Sequence, residues 1–272
     1  MVRFYSLALP LLLATAAADA HDAIGDLIPS SELLPEEGPT VETTMVFGTG
    51  ENHNFKTFGD ELFDYNGECD LILLNDPSFK RELGMRIDIR TQIHGSASGV
   101  TQAAVRIGDQ VLEVAGGQGK EWIWVNGVPN EDLEDGEWYL SSIDGLVVRL
   151  REDGDDREAV IYVDGYIEKL VFKANRAHDF VHLDMERKGG KGSKNYEGST
   201  GLLGSHALNG LRVGRDGETL IQDINEFAQE WQVREDEDRL FHNYDDTMVL
   251  APSKCLLLSG NAAERRALRS SK

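Results

Sequence analysis

The chain is 272 residues long and carries 48 Asp and Glu against 27 Lys and Arg, a formal net charge of −21. So acidic a surface repels nucleic acid and anionic membranes, and no basic stripe with interleaved aromatics offsets it. The expectation is a solvated exterior rather than a dedicated calcium surface, with no nucleic-acid partner.

The first residues, MVRFYSLALPLLLATAAADAHD, combine Arg3, an apolar run from Leu7 to Ala18 and the small-x-small pattern Ala18-Asp19-Ala20. This reads as a secretory signal peptide over residues 1–20, cleaved after Ala20, giving a secreted extracellular product. The run is short for a hydrocarbon core of about 30 Å, and no later segment is apolar for long enough, so no membrane span is expected. Residues 21–46 hold three prolines, several acids and no sustained period, and read as a flexible acidic leader.

From Phe47 the pattern changes to two-residue alternation. Phe63, Tyr65, Cys69, Leu71 and Leu73 share one parity, with Asp64, Asn66, Glu68 and Asp70 on the other. That is the pattern of a half-buried strand with Cys69 facing inwards. MRIDIRTQIH repeats it, with Met85, Ile87, Ile89, Thr91 and Ile93 on one face and Arg86, Asp88, Arg90, Gln92 and His94 on the other. Short strands follow at AAVRI, QVLEV, EWIWV, EWYLS, LVVRL, AVIYV, YIEKLVFK and DFVHLDM. Between them stand Gly108-Asp109, Asn126-Gly127, Asp144-Gly145 and Asp164-Gly165, dipeptides suited to tight hairpins because their residues accept positive φ.

The segment 186–201, ERKGGKGSKNYEGSTG, reads as an exposed loop. DINEFAQEWQV reads as a short helical turn capped by Asp223 and leading into a terminal strand. The polar end, residues 257–272, reads as a mobile tail. The fold class expected is all-β: an antiparallel β-sandwich of short hairpin-connected strands with one or two short helical turns, over residues 47–256.

Cys69 and Cys255 are the two cysteines. In an oxidising compartment an even pair favours one disulfide; two separate buried thiols are the alternative.

Stretches with catalytic potential are few. Neither Gly-x-Ser-x-Gly nor His-Glu-x-x-His occurs, and GGKGSK departs from a phosphate loop. His178, His182 and Asp184 share a parity that could present zinc ligands, or simply form an exposed polar face. Trp122 and Trp124 share a parity found in sugar platforms and, more often, in sandwich cores. They motivate the rival expectation, a carbohydrate-binding or carbohydrate-hydrolysing sandwich. Carboxylates are too abundant to mark a hydrolytic pair without geometry.

Two stretches together carry a family likeness. HNFKTFGDELFDYNGECDLIL, with Thr57, Phe58, Phe63, Tyr65, Gly67 and Cys69, resembles the opening of a von Willebrand factor type D domain. STGLLGSHALNG and RDGETLIQDINEFAQEWQV, with Gly201, Leu202, Gly204, Asn209, Gly210, Asn225, Phe227 and Trp231, resemble its second landmark. The likeness covers roughly residues 47–256. It departs at Gly50-Glu51-Asn52-His53, which lacks the family's Asp-Pro bond, and at Leu203, which stands where a turn cysteine belongs. The cysteine-rich companion modules are absent, so this resembles a cysteine-poor, stand-alone member.

The resemblance implies a secreted structural or adhesive module that binds an extracellular protein or matrix component without catalysis. It also implies one structural calcium ion. Asp60 is the displaced counterpart of the family's turn aspartate, and Asn209 and Asp216 are the candidates from the later loop. Calcium takes six to eight oxygens, of which these are three sources.

Overall fold

The computed structural model describes residues 43–45, 54–95, 97–119, 121–130, 135–164, 167–187, 194–242 and 255–258. All of them fall in the unit Val41–Lys272. The cleavage position at Ala20, the leader up to residue 42, Gly50 to His53, the glycines of GGKGSK and the tail from 259 lie outside the described residues.

The architecture is an all-β antiparallel sandwich. Its strands are β1 (Thr43–Met45), β2 (Asn54–Lys56), β3 (Leu62–Asp64), β4 (Gly67–Asp76), β5 (Met85–His94), β6 (Ala97–Ile107), β7 (Gln110–Ala115), β8 (Ile123–Val125), β9 (Val128–Pro129), β10 (Trp138–Ile143), β11 (Leu146–Asp153), β12 (Asp156–Asp164), β13 (Glu168–Asn175), β14 (Val181–Arg187) and β15 (Leu256–Leu257). One sheet has the order β1-β14-β13-β12-β11-β10. The other runs β15-β4-β5-β6-β7-β8-β9, and β2 and β3 form a separate hairpin.

Period-two patterning explains the layers. Leu71, Ile89, Ala103, Val114 and Ile123 lie opposite one another across four strand pairs and turn one row of the seven-stranded sheet inwards. Leu150, Ala159, Phe172 and Leu183 make the facing row of the six-stranded sheet. Both rows belong to one hydrophobic cluster.

The expected hairpins form where their turn chemistry allows. Asn126 and Gly127, and Asp144 and Gly145, take the paired positive φ values that a tight turn requires. Among the described residues two short α-helical segments and a 3-10 turn at Lys194–Tyr196 interrupt the strands. α1 (Phe79–Glu82) is irregular, with positive φ at Lys80, Arg81 and Glu82. α2 (Ile224–Glu230) is capped as its sequence implies: the Asp223 carboxylate accepts from the Asn225 and Glu226 amides, both at 2.9 Å.

Three features differ from the sequence reading. The 186–201 segment is not wholly exposed. Tyr196 is buried and stacks on Phe79 at 6.2 Å, and the Ser199 hydroxyl donates to buried Asp76 at 2.9 Å. Directly after α2 the chain makes the isolated bridge Gln232 to Leu71, and the terminal strand comes later, as β15. Most consequentially, the polar parity of β5 is not a wet face. Arg86, Asp88 and Arg90 are buried, because residues 233–242 cross over that side of the sheet.

Strand β4 is the organising element. Its unpaired edge is closed by three segments distant in sequence. Leu202 and Leu203 donate to the carbonyls of Ile72 and Leu73, Ile72 donates to Trp231, and β15 pairs with Gly67 and Glu68. Beside β15, Cys69 and Cys255 are joined in a disulfide, with Cα atoms 4.8 Å apart and a sequence separation of 186.

Candidate functional site

The two stretches that carry the family likeness meet. Thr57 is fully buried, and its hydroxyl accepts from the Gly59 amide at 3.2 Å and the Glu61 amide at 3.3 Å, closing a tight turn. The Phe58 amide donates to the Leu203 carbonyl at 3.0 Å, and the Phe58 ring meets His206 edge-on at 5.0 Å. Arg212 reaches back to Glu61 at 3.1 Å.

Backbone-to-backbone contact explains the glycines here. A Cβ on Gly59 would lie 2.1 Å from the Asn209 carbonyl oxygen, and one on Gly210 would lie 2.0 Å from the Gly59 nitrogen. Gly210 also has φ +79, the left-handed region that favours glycine. The turn 57–61 and the loop 201–212 are thus interlocked without side chains between them.

Of the three expected metal donors, Asp60 and Asn209 sit on these two touching turns, both with positive φ. The Asp60 carboxylate, largely exposed, pairs with Lys56 at 2.7 Å. Asp216 belongs to a different turn, and its carboxylate closes that turn. Oδ1 accepts from the Glu218 and Thr219 amides at 3.0 and 2.9 Å, and Oδ2 accepts from the Thr219 hydroxyl. These bonds, led by the Thr219 hydroxyl, hold its carboxyl below the ordinary aspartate range. The neighbouring Arg215 amide faces Glu230, not Asp60 or Asn209. Asp60 and Asn209 are thus carried on turns that touch, while the Asp216 carboxylate is engaged within its own turn. Among the described residues no three His, Cys, Asp or Glu side chains converge for a metal.

The other candidates fare as follows. His178 precedes β14, in a turn whose carbonyl accepts from Gly117, whereas His182 and Asp184 lie on the strand itself. Burial raises the Asp184 carboxyl above its usual range, against the pull of Lys173 at 3.4 Å. Trp122 is 1% exposed and Trp124 4% exposed, so neither offers a platform. Trp122 joins the core, donates its indole N–H to Glu152 at 3.1 Å and lies under Arg157 at 5.7 Å. Trp124 pairs across the strands with Glu113 and Pro129. The partly exposed Trp138 already carries the Arg149 guanidinium on its ring, 4.1 Å from the centroid.

Two features escaped the sequence reading. Asp76, fully buried, is a hub that accepts from the Ser78 amide, the Ser78 hydroxyl and the Ser199 hydroxyl, joining the end of β4 to the start of the 201–212 loop. Asp-x-Ser is the local signal for half of it; the Ser199 contact spans 123 residues and has none. The second feature is the charged cluster beneath residues 233–242. The run REDEDRLFH, acidic and with Leu240 and Phe241 near its end, is the only hint of a cover.

No protein-family model matches this chain, and the search of curated proteins finds no match. Among the described residues no helix is long and apolar enough to cross a membrane.

Proposed function

We propose that this chain is a secreted, non-catalytic interaction module of the von Willebrand factor type D kind, serving a structural or adhesive role by binding an extracellular protein or matrix component. The observation that supports the reading is the interlock of its two landmark turns, Gly59 against Asn209 and Gly210. The turn that follows Thr57 and Phe58 and the loop that holds Asn209 and Gly210, far apart in sequence and both singled out by the resemblance, meet at one place. The experiment is a pull-down with the secreted protein from its own extracellular milieu. Specific retention of an extracellular protein supports the proposal, and retention of none argues against it.

Secretion rests on the segment before His21. A mature amino terminus at His21, read by sequencing the protein from the medium, supports cleavage after Ala20; retention of residues 1–20 in an intracellular product opposes it. A calcium ion remains part of the proposal on the strength of Asp60 and Asn209, whose turns touch. A ligand held only by the native state raises its melting temperature. A higher Tm in calcium than in chelator supports the site, and an unchanged Tm removes it.

The carbohydrate reading loses its motivation with the burial of Trp122 and Trp124. Binding on a glycan array, or hydrolysis of a glycosidic substrate, would restore it.

A further inference from the structure

Polar residues on the outer side of an antiparallel sandwich sheet ordinarily face water. On the seven-stranded sheet, Asp70, Arg86, Asp88, Arg90, Gln102 and Glu113 are instead buried. Asp70 holds Arg90 in two bonds of 2.7 and 2.9 Å, and Arg90 also donates to Gln102 at 2.9 Å. Arg86 holds Asp88 in two bonds of 2.7 and 3.0 Å. The cover is the segment Val233 to His242, which has no regular secondary structure.

This segment is fastened apolarly at one end and ionically along its middle. Val233 donates to the Asp70 carbonyl at 2.9 Å. Leu240 and Phe241 pack on Ala104 and Val111, with the Arg90 guanidinium 4.6 Å over the Phe241 ring, and the His242 amide donates to Glu113 at 3.1 Å. Between these ends Glu237 bonds Arg215, and Asp238 lies 3.5 Å from Arg106. Glu237 and Asp238 also act on Arg86, the same cation that Asp88 holds from below.

We propose that residues 234–242 form a strap whose grip on the sheet is set by the charge on Asp88, tightening at mildly acidic pH and loosening above neutrality. The charged groups acting on Asp88 are Arg86 on its own strand, Asp70 from β4 and Arg106 from β6; Glu237 and Asp238 of the strap act on Arg86, and Glu113 of β7, with His242 against it, lies one strand further on, opposite Ala104. When Asp88 is anionic it takes the Arg86 charge and adds a negative charge beneath two strap carboxylates. When it is neutral, the Arg86 charge is left to Glu237 and Asp238. Complete burial pushes the Asp88 carboxyl up to about 7, against the pull of Arg86, so the change falls near neutral pH.

The test is hydrogen exchange on the full, disulfide-bonded protein at pH 6 and pH 8, corrected for intrinsic exchange rates. Amides of 234–242 should be about tenfold better protected at pH 6, the factor expected for one pKa step of coupling. Asp88→Asn should leave the strap well protected at both pH values, with the difference below about twofold. Asp238→Asn, at an exposed carboxylate, gives a second route if Asp88→Asn does not fold; it should pull protection at pH 6 down towards the pH 8 value. His242→Gln should retain the difference. Equal protection of the wild type at both pH values, survival of the difference in either aspartate variant, or its loss in His242→Gln would overturn the proposal.

Discussion

Replacing Gly59 with alanine places a methyl group where the structure has a carbonyl. The new Cβ would stand 2.1 Å from the Asn209 oxygen, whereas real Cβ contacts stay beyond 3.0 Å, so the two turns must part by about 0.9 Å. Neither side is a flexible side chain. The obstacle is the Asn209 backbone, followed by Gly210, whose own Cα approaches the same position at 3.6 Å. Relaxation would strain the Phe58 amide's bond to the Leu203 carbonyl and the Phe58–His206 contact. Overpacking of a tight site costs roughly 1–3 kcal/mol, and backbone on both sides puts this one near the top of that range. The lost flexibility of the unfolded chain returns only about 0.4–1 kcal/mol. A net loss of about 2 kcal/mol corresponds to a Tm lower by roughly 4–8 °C for a domain of this size. Thermal melting followed by circular dichroism reads it, with Gly154→Asn as the control, since a Cβ at Gly154 meets nothing and asparagine tolerates its φ of +59. A Gly59→Ala protein that melts within 1 °C of wild type would refute the interlock.

Other outcomes follow from particular contacts. Cys255→Ser opens a loop of 186 residues, which in the chain-entropy picture is worth on the order of 5 kcal/mol, read as a lower denaturation midpoint; a loss below about 1 kcal/mol would contradict that weight. Asp76→Ala strands the Ser78 and Ser199 donors in a buried site and should cost about 2–3 kcal/mol by urea unfolding, while a neutral result would mean that water replaces the carboxylate. Asp88 has its folded value raised, so its contribution to stability is complete below the ordinary aspartate range and is lost as pH rises through about 7. The stability of wild type relative to Asp88→Asn should therefore fall between pH 4 and pH 8, by no more than about 4 kcal/mol, and a flat difference would show that Asp88 titrates as an ordinary carboxylate.

The fold was legible where one residue type fixes one local geometry. Asn126-Gly127 and Asp144-Gly145 mark their own turns, Asp223 marks its helix, and the apolar parity of Met85, Ile87 and Ile89 marks the inner face of β5. Cysteine arithmetic gave the disulfide because only one pairing is possible. The polar parity of the same strand misled, because alternation separates the two faces of a sheet but is silent on whether a distant segment covers the second. Arg86, Asp88 and Arg90 look solvated until Leu240 and Phe241 are placed over them. Parity failed differently at Trp122. It lies just before β8, where the chain turns it back into the core, away from the face that carries Trp124. At the candidate site the landmark glycines Gly201, Gly204 and Gly210 were visible in sequence. The reason for Gly59 was not, since it lies in a carbonyl 150 residues away.

We propose that this sandwich is a secreted binding module. Its most direct test is retention of extracellular proteins by the folded, disulfide-bonded chain, compared with the reduced and unfolded chain as control. At least one extracellular protein should be held by the folded form alone, with no turnover of glycosidic substrates. Equal retention by both forms, or substrate turnover by the folded chain, would contradict it.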